Sequence, residues 1–217
     1  MTAPLVVSAC YGGYDRFKPP PPGCSRAVMF TDRPHDAAAL GWSVVSGANP
    51  SVPPRLRSKP PKCTPQLLLL DADEDVIWID ASLRSTGKDV RELLELVPVG
   101  GVGTFRHRFR ETLLAEAIES AALPRYKDEP VIQQAQFYNN RPVFPRLWET
   151  GCVVWRGAQH TLGVRWLAEC LTWSSQDQVN FPAAAATVGA AVTTLPGTSV
   201  ENRWLLWEQH AIVDWSA

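Results

Sequence analysis

The chain of 217 residues carries almost no net charge, a formal -1 at pH 7, and has no apolar run approaching the roughly 20 residues that span a bilayer. The first absence removes any global attraction to DNA, RNA or an anionic membrane. A local basic cluster such as Arg106, Arg108 and Arg110 still leaves contact with modified DNA open. The second absence predicts no membrane anchor. The opening MTAPLVVSACYGG lacks the basic start and the apolar length of a secretory signal. The five cysteines, Cys10, Cys24, Cys63, Cys152 and Cys170, form no CxxC pair and no Cys/His cluster with zinc spacing, which argues against a structural zinc site. Odd in number and scattered, they read as the reduced thiols of a cytoplasmic protein. With 45% hydrophobic and 20% charged residues, the chain is neither disordered nor fibrous in character, and its length suits one domain.

Tryptophan and proline are plentiful, at nine and nineteen residues. The prolines crowd into residues 19–22 and 50–65. Both stretches are expected to be loops, because proline lacks the N–H that helix interiors and strand ladders need. Short apolar, β-prone runs at 5–9, 27–30, 42–45, 76–79, 102–105 and 151–155 predict strands. Helical patterns follow Asp89, Asp128-Glu129-Pro130 and Thr161. Another occupies 110–122, with Leu113, Leu114, Ala117, Ile118 and Ala121 on one side. Residues 66–70 fit a helix turn or a strand. This alternation predicts an α/β fold with a largely parallel sheet, in which ligands bind beyond the carboxyl ends of the strands. Polar groups stand at those ends: residues 11–15, Thr31-Asp32, Asp80-Ala81-Ser82 and His107. Trp155, Trp166 and Trp173 fall on core patterns.

The run IWIDAS at 77–82 resembles the sugar-nucleotide carboxylate motif of GT-A glycosyltransferases. Further blocks, in order, resemble a glycosyltransferase-like family, formerly a domain of unknown function, whose members include plant Golgi proteins linked to pectic mucilage. These are YGGYD (11–15), FTD (30–32), KPPK (59–62), WIDASL (78–83), FRHRFR (105–110), Tyr138, ETGCVVWR (149–156) and SSQDQVNFP (174–182). The resemblance implies one GT-A-like, Rossmann-like α/β domain over residues 1–217, with a mostly parallel central sheet flanked by helices. A tail from about residue 198 is expected to pack over the site. The implied activity moves a sugar from a nucleotide-sugar, with UDP the expected nucleotide, to a hydroxyl of a glycan, protein, small molecule or hydroxylated DNA base.

Such a transfer must stabilise the charge growing on the leaving diphosphate and hold the acceptor hydroxyl beside the anomeric carbon. GT-A enzymes commonly use Mn²⁺ or Mg²⁺ on an Asp-x-Asp motif for the first task. Here the third position is Ser82, and two readings stay open. Asp80 holds a cation with help from His210, or the site uses little metal and Lys59, Lys62 or Arg106 supplies the charge. By the same resemblance Tyr11, Gly12 and Asp32 line the nucleotide pocket, and Lys59 and Lys62, on a solvent-facing loop, meet the diphosphate. Ser82 and His107 contact the donor, while Glu149, Thr150 and Gly151 form a back wall for sugar and acceptor. Asp177, beside Gln178, accepts the acceptor's proton or bonds a sugar hydroxyl. Each residue has a plainer role: a strand-end cap for Asp80, a turn for Gly12 and Asp32, ordinary loop lysines, an exposed basic strand end for His107, a helix cap for Asp177. Trp204, Trp207 and Trp215 in the tail are expected to be buried, with His210 facing inward. The rival functions are an idle nucleotide- or carbohydrate-binding module, which Ser82 favours, and a nucleotidyltransferase, for which GGYD is a poor phosphate loop.

Overall fold

A computed structural model describes residues 3–69, 74–139 and 147–210. The strands among them are β1 (Leu5–Cys10), β2 (Arg26–Thr31), β3 (Ser43–Val45), β4 (Val76–Ile79), β5 (Leu83–Ser85), β6 (Val102–Arg106), β7 (Trp148–Trp155), β8 (Val192–Leu195) and β9 (Leu205–Trp207). The helices are α1 (Pro34–Ala38), α2 (Pro54–Arg57), α3 (Lys59–Cys63), α4 (Pro65–Leu69), α5 (Arg91–Glu95), α6 (Leu113–Ala121), α7 (Val131–Asn139), α8 (His160–Thr172) and α9 (Asp177–Val188). Seven strands form one sheet in the order β3-β2-β1-β4-β7-β6-β8, and β5 and β9 form a separate ribbon. The sheet is parallel except at β7, which runs against both β4 and β6.

The central strands read as unbroken apolar runs because both faces of the sheet are covered. Successive side chains point to opposite faces. Leu5 and Val7 therefore pack with Val28, Trp78 and Trp155 on one face, while Val6 packs with Met29, Ile77 and Val154 on the other. α8 and α9 cover the first face through Trp166 and Phe181, whose rings meet edge to face at 4.9 Å. α5 covers the second through Leu93 and Leu94. A fully buried side chain such as Phe181 stabilises the fold by about 1.5–3 kcal/mol. A third cluster ties α6 and α7 to α9. No helix among the described residues is long and apolar enough to cross a membrane.

The second proline cluster departs from expectation. Residues 54–69 form three consecutive short helices instead of a loop, and α2, α3 and α4 each carry proline in the first turn. There the missing N–H costs nothing, because the first N–H groups of a helix have no partner inside it. The first cluster does lack regular structure over residues 19–22. α6 begins later than its apolar pattern suggests, since the Thr112 hydroxyl caps it by accepting from the Ala115 N–H at 3.2 Å. α8 starts at His160, with Gln159 rather than Thr161 at its cap. Residue 70, at the end of the ambiguous 66–70 run, lies outside the described residues; the rest is helix α4.

Candidate functional site

Because β1, β2 and β4 are parallel neighbours, their carboxyl ends share one rim. At this rim lies a cleft of about 670 Å³, within the range of small-molecule sites. It is lined by the segment after β1 (Tyr11, Gly12, Tyr14, Asp15) and the segment after β4 (Asp80, Ala81, Ser82). Arg55, Lys59 and Lys62 enter from α2 and α3, Arg125 and Tyr126 from a 3-10 turn, Asp177 from the start of α9, and His210 from the tail.

The floor is built on α3. Lys59 and Lys62 stand three residues apart, the spacing that puts both on one helix face. Both are buried, which corrects their expected solvent-facing position: the segment is helical, and α3 packs against β1 and α8. Asp177 Oδ2 accepts from Lys59 Nζ at 2.7 Å and from Lys62 Nζ at 2.9 Å. Lys62 Nζ also reaches Asp80 Oδ1 at 3.0 Å, and the Trp78 indole N–H donates to the same oxygen at 2.6 Å. The Lys62 ammonium sits 5.6 Å from the Trp78 ring centre and 5.9 Å from that of Trp166, adding cation–π attraction. Burial alone would push both lysine pKa values down, but the Asp177 carboxylate more than offsets it and holds both above the usual value. Burial likewise favours a protonated Asp177, and the two lysines overcome that, holding the acid below its usual range. Asp177 is thus a clamp for two cations and a poor proton acceptor at neutral pH.

Asp177 is fixed from behind. Gln176, the N-cap of α9, donates to Glu116 Oε1 at 2.9 Å and to Ser120 Oγ at 2.5 Å. The Ser175 N–H donates to Glu129 Oε2 at 2.6 Å, and the Asn180 side-chain amide donates to the Ser174 carbonyl at 2.6 Å. Buried polar side chains with good partners hold this corner in one geometry.

At the other end of the rim, Asp32 Oδ2 accepts from the Gly12 N–H at 2.9 Å and from Arg57 at 3.4 Å. The Arg57 guanidinium lies 4.8 Å over the Tyr11 ring. Gly12 has φ +67°, and an added Cβ would sit 3.0 Å from Pro54 Cγ, so the turn requires glycine. The described part of the tail reaches the cleft as well. β9 pairs with β5, and the Glu208 N–H donates to the Ser82 carbonyl at 2.8 Å. His210 Nδ1 lies 2.9 Å from Asp15 Oδ1, with its ring 4.3 Å from that of Tyr14. Trp204 is buried, Trp207 is half exposed, contrary to expectation, and Trp215 lies outside the described residues.

Several expected site residues do not line this cleft, Asp32 among them, which borders it only through its bond to Gly12. His107 is buried, not exposed. Its Nδ1 accepts from the N–H groups of Phe109 and Arg110 at 3.2 and 3.0 Å, which leaves the proton on Nε2, 3.1 Å from Glu116. Burial would raise the Glu116 carboxyl, and His107 with Arg110 holds it below the usual range. His107 therefore turns the chain between β6 and α6. His107→Ala is expected to lower the melting temperature, since it strips a buried carboxylate of a partner at a cost of about 1–3 kcal/mol. Nucleotide affinity, read by titration calorimetry, should stay within about threefold, a change of under 1 kcal/mol; a larger loss would return His107 to the site. Glu149 is buried, accepting from Arg108 at 2.6 Å and from the Ser199 hydroxyl at 2.6 Å. Thr150 is buried and Gln178 sits outside the cleft lining. Gly151 lies behind Asp80: its carbonyl accepts the Asp80 N–H at 2.7 Å, and an added Cβ would be 3.5 Å from Asp80 Oδ2.

The expected cation ligands do not fit a divalent metal as arranged. One Asp80 oxygen already faces an ammonium group and an indole N–H, both of which repel a cation. His210 is engaged with Asp15. Ser82 adds no carboxylate, and no group of three His, Cys, Asp or Glu side chains suited to a metal converges among the described residues.

Arg55, Arg57, Arg125 and Tyr126 were not singled out by the sequence reading. Arg55 and Arg57 had a signal, basic residues alternating through PPRLRSKPPK; Tyr126 had none.

No family model matches the chain, and no curated protein matches it. Among solved structures 127 chains do. One is the apo structure of WbbM, a bifunctional glycosyltransferase, followed over 90% of this chain with a TM-score of 0.53 and 15% identity. The chain spans 39% of the length of that structure. At this identity the likeness is one of architecture: a mixed α/β domain with a mostly parallel seven-stranded sheet, shared with a glycosyltransferase.

Proposed function

We propose that the chain is a nucleotide-sugar-dependent glycosyltransferase that takes a UDP-sugar and passes the sugar to a hydroxyl of a glycan, protein, small molecule or hydroxylated DNA base. The observation that carries this reading is the buried pair Lys59 and Lys62 on the floor of a cleft at the strand-end rim. Two desolvated ammonium groups in an open cleft suit a compact polyanion, and charge-assisted bonds to phosphate oxygens are strong. The fold likeness supports the same class of reaction. At one end Tyr11 offers a stacking face for the base, and Asp32 and Arg57, just outside the lining, brace the Tyr11-Gly12 turn that would meet base and ribose. Asp15, Tyr14, Tyr126 and His210 surround the remaining space, where sugar and acceptor would meet.

A thermal-shift screen of nucleotide-sugars tests the reading, because a ligand bound to the native state raises its melting temperature. A UDP-sugar is expected to stabilise the chain, and prolonged incubation is expected to release UDP, by hydrolysis or by transfer to an added acceptor. Binding without any release would favour the idle binding module suggested by Ser82. No stabilisation by any nucleotide-sugar would overturn the assignment.

A further inference from the structure

We propose that the leaving diphosphate is stabilised by the Lys59–Lys62 pair in place of a divalent cation, so that donor binding and transfer proceed without metal. The inference rests on the reading above and goes beyond it by assigning the charge that the reaction needs. Three observations converge. Positive charge is already present at the strand-end rim: Arg55 and Arg125 stand in the lining, and the floor carries two ammonium groups, both bonded to one oxygen of Asp177 at 2.7 and 2.9 Å. The acid at the first position of the carboxylate motif, Asp80, serves one of those cations, since its Oδ1 faces Lys62 at 3.0 Å. The histidine that would complete a metal site is held by Asp15.

The donor capacity is sufficient. Each ammonium carries three N–H donors. Lys59 uses one on Asp177, and Lys62 uses one each on Asp177 and Asp80 among the described residues. Donors remain for phosphate oxygens on both. In the transfer, the bond from the anomeric carbon to the β-phosphate oxygen breaks, and its electron pair stays on that oxygen, facing the two ammonium groups. The acceptor hydroxyl oxygen forms the new bond to the anomeric carbon, and its proton passes to water. Preorganised cations in a partly desolvated site do here what a Lewis acid does elsewhere.

The test is calorimetric titration of the full chain with UDP, once in EDTA and once in excess Mn²⁺. UDP is expected to bind in both, with dissociation constants within about threefold of each other. Lys59→Met and Lys62→Met are each expected to weaken UDP by about thirtyfold, the loss of one charge-assisted phosphate contact; thermal melts establish that each variant is folded. Asp80→Asn should change the affinity by the same factor with and without Mn²⁺, because its target is a lysine and not a metal. UDP bound only with Mn²⁺, with that Mn²⁺ dependence removed by Asp80→Asn, overturns the inference and leaves the glycosyltransferase reading standing. UDP bound under neither condition removes both.

Discussion

Asp177→Ala is expected to lower the melting temperature by roughly 6–20 °C, the largest stability loss we foresee for a single polar substitution. Removing one partner of a buried ion pair leaves uncompensated charge at about 3–5 kcal/mol, and each kcal/mol shifts a domain of this size by about 2–4 °C. Here the loss strands two buried ammonium groups, with Asp80 the one remaining carboxylate bonded to either of them among the described residues. The pH dependence follows from the directions of the shifts. Asp177 is held below its usual value of 3.8, so its contribution is complete above that value and is lost as pH falls through the native one. The lysines are held above 10.5, so theirs is complete below that value and is lost as pH rises through the native ones. The native protein should therefore keep this contribution undiminished from about pH 5 to about pH 9. In Asp177→Ala burial is largely unopposed at Lys59 and is opposed chiefly by Asp80 at Lys62, so alkaline conditions let the lysines, Lys59 first, shed their protons. The stability deficit should then narrow as pH rises, as measured by calorimetric melts of both proteins across that range. An unchanged melting temperature, or a deficit that ignores pH, would deny Asp177 the role of clamp.

Gly163→Ala is expected to destabilise the chain although alanine is the better helix former. The change removes a glycine from the interior of α8, which on propensity alone gains about 1 kcal/mol. A Cβ at this position, however, would stand 2.3 Å from the Cys63 carbonyl oxygen and 3.4 Å from Thr64 Cγ2. The obstacle is backbone, which cannot rotate away, so α3 and α8 must move apart. Overpacking of this kind costs about 1–3 kcal/mol, occasionally more. Cys63 follows Lys62 directly, so the shift moves an ammonium group of the floor. Thermal melts should show a net loss, and UDP affinity should fall by about tenfold, the size of one weakened charged contact. A variant more stable than the parent, binding UDP as well, would mean that α8 does not press on α3 as described.

Most of the sheet was legible because its strands are apolar on both faces: LVVSA, AVMF and VIWI need no tertiary context to read as buried strands. Tyr11, Gly12, Asp32 and Asp80 were legible as groups at the carboxyl ends of such strands, which a parallel sheet must gather at one rim. The KPPK segment was misread because proline signals a loop only where its missing N–H would have been used; at the first turn of a helix it signals the opposite. From that error followed the exposed placement of Lys59 and Lys62. His107 and Glu149 were misjudged for another reason. A polar residue at a strand end serves a ligand or the fold, and only its partners, Glu116 for one and Arg108 with Ser199 for the other, decide between them. Those partners lie up to 50 residues away in sequence, beyond any local pattern. Asp177 was found by the resemblance of the SSQDQ block, its place at a helix start arguing for a cap instead, but its union with two lysines more than 100 residues earlier could not be read from the chain alone.

The two lysines of α3 are separated by Pro60 and Pro61, whose rings lock φ near −65°. The backbone between the two charges therefore has little freedom even in the unfolded chain, and folding removes less disorder there than it would from a glycine-rich phosphate loop. A flexible side chain immobilised by its ligand typically forfeits about 0.5–1.5 kcal/mol of affinity. On the proposed reading that stiffening is already in place, since both ammonium groups are held on Asp177, and a diphosphate would meet cations fixed beforehand.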